Sequence, residues 1–262
     1  MWNLFKGTMR QNLRSAGLWV CWIIVLVMVP LQFGLIFGEG LPDSPASTVF
    51  GEWITGPASL LPMALAWVVC RICGWDLRDK TANYEILYGK KRSQVYFSRF
   101  LAALLFSLVT VLLSAVPFLL LIARNGWGGS LSAENALLHC GLMFPVLFRL
   151  ICFFTALSFL VGNDIAAAFL GWMFSFAGMT LYLISTLADF SLRLTWQIAS
   201  VNLLTLMDFS NKTKGFFEGQ DITVYKAELT QAFCTETLLS GIGIGLLWLL
   251  LGYFIFRKKD LR

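Results

Sequence analysis

Six apolar runs, each about 18 residues long or more, constrain this chain more than any other feature. A helix of that length crosses ~30 Å of hydrocarbon, and in lipid the backbone must satisfy its own hydrogen bonds, which helices do. The runs fall at 16–38, 53–75, 100–123, 135–162, 165–188 and 237–256. With 58% hydrophobic and 13% charged residues, a 262-residue chain has more apolar surface than a water-soluble core can hide. The expected fold is therefore all-α: a polytopic integral membrane protein with six transmembrane helices, a single transmembrane domain over 1–262.

Basic residues near helix ends are retained on the cytoplasmic side, so lysines and arginines set the orientation. Lys6, Arg10 and Arg14 precede the first run, and Arg78, Lys80, Lys90, Lys91, Arg92 and Arg99 fill the second connection. Arg257, Lys258, Lys259 and Arg262 close the chain. A six-span arrangement with both termini cytoplasmic puts all three groups on one side. Glu39, Asp43 and Glu52 then lie outside with no basic neighbour. The first run is too long for the apolar core of a cleaved signal, about 7–15 residues, and is expected to be retained. Ahead of it, Trp2, Phe5, Met9 and Leu13 recur at helical spacing beside the Lys6, Arg10, Arg14 stripe, which reads as an interfacial helix over 1–15, with a frayed basic tail as the alternative.

The connection 76–99 is a charged, amphipathic handle between two spans. Residues 82–88 read as a short helix with Thr81 as N-cap, Gly89 as its stop, and Tyr84, Leu87 and Tyr88 on one face. Ser93 offers an N-cap for the following span. A basic loop that only fixes orientation would have no need of the aromatic face, so the segment reads as a docking site. On the other side, 189–236 is expected to be external. Within it 191–206 is rich in Leu, Ile, Val and Trp yet too polar to span, as an interfacial or re-entrant helix would be. Asn211-Lys212-Thr213 matches a glycosylation sequon.

Catalytic patterns do not appear. A single histidine excludes H-E-x-x-H, and there is no G-x-S-x-G and no phosphate loop ending in Gly-Lys-Ser/Thr. The six cysteines are scattered; Cys70 and Cys73 form one C-x-x-C with no second pair, which suggests neither a metal site nor a disulfide framework. No cofactor is expected on this chain, and its basic residues call for lipid headgroups rather than nucleic acid.

Polar groups inside the spans remain. Arg149 interrupts the fourth run near its middle and either pairs within the bundle or lines an aqueous path. Arg71 is expected to snorkel to the interface. His139 and Glu236 sit toward the outer ends of the fourth and sixth spans, and Gly241-x-x-x-Gly245 permits close helix contact in the sixth.

Taken together, the run Asp79-x-Thr81, Gly89-Lys90-Lys91-Arg92-Ser93, Tyr96-Phe97-x-Arg99 and the ending Phe256-Arg257-Lys258-Lys259-Asp260-Leu261 resemble an ABC transporter permease of the second exporter type. That resemblance covers nearly the whole chain. It implies a subunit without ATPase activity, a second permease copy or homologous chain, and a separate nucleotide-binding ATPase that carries ATP and magnesium. Coupling to that ATPase would fall to Asp79, Thr81, Tyr84, Glu85, Leu87, Tyr88, Lys91 and Arg92. Arg149, His139 and Glu236 would serve a path or intramembrane pairing. Small permeases of this type serve antibiotic export or antimicrobial-peptide immunity in bacteria, which implies a plasma-membrane protein moving an amphipathic compound. The competing reading is a membrane anchor or assembly subunit that recruits a soluble partner without transport. A passive channel ranks below both, because rings of repeated charge are missing.

Overall fold

A computed structural model of the chain describes residues 1–37, 61–126, 133–187 and 231–259, and within them every element is helical. In chain order these are α1 (Trp2–Leu13), α2 (Ala16–Phe37), α3 (Leu61–Arg78), α4 (Thr81–Leu87), α5 (Arg92–Asn125), α6 (Ala133–Val161), α7 (Asp164–Leu187) and α8 (Gln231–Lys258). The loop expected at 39–52, the segment 191–206 and the sequon at Asn211 lie outside the described residues.

Among the described residues, three helices are long and apolar enough to cross a membrane, namely Arg92–Pro117, Cys140–Val161 and Thr237–Lys258. A fourth arises if α1 and the first part of α2, bent by 64° at their junction, form one span. This marks the chain as a membrane protein. Of the other runs, α3 carries Arg71, Asp76 and Arg78 within its 18 residues, and α7 contributes a shorter apolar stretch, Asp164–Ser175.

The bend after α1 is closed by backbone bonds from Arg14 N–H to Arg10 O (3.3 Å) and Ser15 N–H to Asn12 O (2.9 Å). On the buried face of α1, Thr8 donates to Leu4 O and Asn12 to Thr8 O, so both polar side chains enter the packing with their donors satisfied. That face lies on α5, with Leu4, Phe5 and Met9 half-buried while Trp2 and Leu13 stay exposed. Trp22 of α2 is tied to α5 through its indole N–H, which donates to Thr110 Oγ1 at 3.0 Å.

The closest packing joins α6 to α8, and glycine makes it. A Cβ at Gly241 would lie 2.6 Å from Pro145 Cβ and 2.7 Å from the Pro145 carbonyl; at Gly245 it would lie 2.9 Å from the Phe148 ring. One at Gly252 would lie 2.8 Å from Ala156 Cα. Small residues let two backbones approach where lipid supplies no hydrophobic drive between helices, so association there depends on such contact. The Gly241-x-x-x-Gly245 pair thus faces α6, whereas Gly243 between them meets nothing within 4 Å.

Candidate functional site

Among the described residues, most of the charge gathers at one end of the bundle, where the apolar runs give way to short polar connections. Asp164, at the start of α7 and 2% exposed, takes Arg71 Nη1 at 2.5 Å and Arg78 Nη1 at 2.7 Å, both from α3. The Arg71 guanidinium also lies over the Trp75 ring, 3.6 Å from its centroid. Arg71 thus extends toward the charged end of the bundle, where a carboxylate and an aromatic face hold its guanidinium. Gly74 makes the approach possible: a Cβ there would sit 2.9 Å from Asp164 Cα.

A second cluster centres on Arg99 of α5, itself 2% exposed. Its Nε donates to Asp76 Oδ2 of α3 at 2.8 Å, and its Nη2 stands 2.8 Å from Glu85 Oε2 of α4. The Glu85 contact is ionic without the alignment of a hydrogen bond. Gln11 of α1 completes Asp76 from the other side at 3.4 Å.

Cations also close the helix C-termini at this end, where carbonyls lack partners and the dipole is negative. Arg92 donates to the carbonyls of Phe256, Arg257 and Lys259 at 3.2, 2.7 and 2.9 Å. Lys259 in turn donates to Phe159 O (3.0 Å) and Leu160 O (3.2 Å) at the end of α6. Loss of water around it pushes the Lys259 ammonium pKa down from its ordinary value. Below this layer Tyr96 is fully buried among Phe97, Phe159, Tyr253 and Phe256, with its hydroxyl donating to Leu249 O at 2.8 Å.

From this charged end projects α4. Its inner side holds Ala82, fully buried, with Ile86 packed on the core and Glu85 at Arg99. Its outer side presents Tyr84, Leu87 and Tyr88, which are 60%, 79% and 85% exposed. These are the three side chains that the spacing grouped on one face. Other residues expected to couple to a partner have bonds inside the chain. Asp79 accepts from the Trp75 indole N–H and from Arg78 Nε at 3.1 Å, Glu85 meets Arg99, and Arg92 caps α8. Thr81 is half-buried. The caps shift by one or two positions from expectation. Lys80, in the left-handed conformation at φ 58°, precedes α4 in place of Thr81, and its carbonyl already accepts from Asn83 N–H at 3.0 Å. Lys91 rather than Ser93 is the N-cap of α5, its N–H bonded to the Gln94 side chain at 3.4 Å. The reason is brevity: the turn from α4 into α5 spans so few residues that α5 begins before Ser93.

A chain with this helical order and this charged end can be placed by family. A family model covers residues 18–262, from early in α2 onward. The chain belongs to DUF2705, a family of proteins of unknown function. The matched region contains α4, both ion-pair clusters and the glycine seam, while α1 lies before it. No curated protein matches the chain.

The backbones of the mid-bundle residues stand well apart along their helices. Arg149 is 3% exposed, and its Nη1 and Nη2 have no hydrogen-bond partner among the described residues. At 1.5 Å per residue, His139 stands about 15 Å farther along α6. Gly245 of α8 packs beside Arg149, which places Glu236 about 13 Å away along that helix by the same rise. The side chains of His139 and Glu236 are outside what is described. Among the described residues no group of His, Cys, Asp or Glu has the arrangement to hold a metal.

Sequence reasoning missed Asp164 and gave no role to Asp76. A usable signal existed. Both carboxylates sit where an apolar run meets a polar connection on the side that collects basic residues, and a carboxylate in that setting has cations to meet.

Proposed function

We propose that this protein is the membrane-spanning permease subunit of an ATP-driven exporter, with six spans, both termini in the cytoplasm, and α4 as the helix that docks a separate nucleotide-binding ATPase. The observation that carries the reading is the ridge of Tyr84, Leu87 and Tyr88, largely exposed on a short helix whose opposite face is anchored. Largely exposed aromatic and aliphatic side chains on a fixed support have the character of interface anchors, the strongest of which contribute ~2 kcal/mol or more when buried against a partner. Lys80, Lys90 and Lys91, all exposed, flank α4 in sequence and would steer an acidic rim toward it. A second permease copy completes the path in this reading, and lipids cover the exposed apolar faces of α2 and α8 such as Ile23, Ile24, Leu247 and Leu251. The expected cargo is an amphipathic antibiotic, antimicrobial peptide or lipid-like compound, moved across a bacterial plasma membrane.

The same ridge would serve an anchor subunit that recruits a soluble protein without moving a solute. One experiment separates the two. Affinity-purified wild-type membranes are expected to yield a stoichiometric P-loop ATPase whose hydrolysis depends on the permease. Tyr84→Ala with Leu87→Ala should lower its recovery by at least tenfold while the chain inserts at normal levels, and Lys90→Gln with Lys91→Gln should change it by less than threefold. A stoichiometric partner without an ATP site favours the anchor, and an unchanged partner in the Tyr84, Leu87 variant removes the docking role from α4.

A further inference from the structure

Helix α4 is too short to hold itself in place. It has seven residues, and isolated helices below about 12–15 residues are marginal in water, so what it touches sets its position. Its covalent links are turns with left-handed residues on both sides, Lys80 at φ 58° before it and Gly89 at φ 84° after it. Such links fix the chain path, and the side-chain contacts of α4 oppose its rotation about its own axis. Three inner side chains oppose that rotation. Ala82 and Ile86 supply apolar contact, which is non-directional, and Glu85 supplies the single ionic tie.

The far end of that tie is Arg99. Its planar guanidinium holds Asp76 of α3 through Nε and faces Glu85 of α4 through Nη2, each at 2.8 Å, from within α5. A planar guanidinium spreads one charge over two edges, so a single cation bonds Asp76 on one edge and stands in ionic contact with Glu85 on the other. Without the cation those carboxylates would repel, and the junction of three helices would open. We propose that Arg99 is a latch, a positioning residue that locks α4 to α3 and α5 so that the three move as one body. The consequence of the latch rests on the docking role of α4: a push on the Tyr84–Tyr88 ridge reaches two spans through Glu85, Arg99 and Asp76. The latch itself needs no partner and is measured on the free chain.

The test is hydrogen exchange of the full chain in lipid nanodiscs, read by mass spectrometry. Glu85→Gln keeps the shape of the side chain, removes its charge and leaves the Arg99–Asp76 pair intact. Amides of Thr81–Leu87 should then exchange at least tenfold faster, while those of α3 and of α5 beyond Phe100 keep their wild-type rates. Arg99→Lys, which retains one ion pair at a time, should fall between wild type and Glu85→Gln. An α4 rate within twofold of wild type in Glu85→Gln overturns the latch, and so does loosening that spreads equally into α5, since the cluster would then be ordinary core. The two readings fail separately. Faster α4 exchange with partner recovery unaffected by Tyr84→Ala and Leu87→Ala keeps the latch and removes docking; ridge-dependent recovery with unchanged exchange removes the latch alone.

Discussion

Arg99 and Arg149 are buried to the same degree, at 2% and 3% exposed, yet the chain treats them in opposite ways. Around Arg99 two carboxylates from two other helices stand at 2.8 Å. Arg149 has neither carboxylate nor carbonyl on its terminal nitrogens among the described residues. Position accounts for the contrast. Arg99 lies where α3, α4 and α5 converge at their polar ends and acidic side chains are at hand. Arg149 lies mid-helix on α6, where Gly245 of α8 packs close to its backbone and to the Phe148 ring. The bundle is held by charge at one end and by shape in the middle. Burial alone therefore says little about what an arginine does in this protein; its partners decide.

The largest expected effect is at the charged end. Arg99→Leu leaves Asp76, 3% exposed, as a buried carboxylate without its cation, and losing one partner of such a pair costs about 3–5 kcal/mol. The variant should fold in poor yield and melt well below wild type in detergent. Unchanged melting would mean that the cluster is not what holds that end.

In the middle the corresponding break is steric. Gly241→Ala drives a methyl group into Pro145, and overpacking of this kind costs about 1–3 kcal/mol. Gly243→Ala, with open space around it, should melt as wild type does. Equal melting of the two alanine variants would argue against shape as the bond between α6 and α8.

The smallest effect carries the opposite sign. Arg149→Met removes donors that have no partner, and since a buried unsatisfied polar group costs ~1–3 kcal/mol, the variant should melt at or above wild type, with a gain of about 1 kcal/mol. Its transport should nevertheless fall if Arg149 serves a path, and melting temperature and transport measured on one preparation separate the two effects. Destabilisation of Arg149→Met would reveal a partner and make the two arginines alike.

Several local features were legible from the residues. The apolar run lengths and the 3.6-residue period gave helices where helices are found, and the Tyr84, Leu87, Tyr88 grouping followed from spacing alone. Gly89 ends α4 because it adopts φ 84° there, which glycine does at little cost. The pairing of distant charges was not legible. Nothing along the chain links Arg71 with Asp164, or Arg99 with both Asp76 and Glu85. These meetings depend on how each helix is rotated about its axis, and many residues of the core set that rotation together.

By itself, then, the sequence determined class and punctuation: apolar helices, a charged handle, and glycines placed where backbones could approach. Those properties are local, since transfer into lipid and helix geometry act on each segment separately. Which face of α4 is free, which arginine is gripped and which is left bare, and which glycines meet a neighbour were decided by tertiary structure. Each depends on the relative placement of two or more helices, a quantity that no single segment contains.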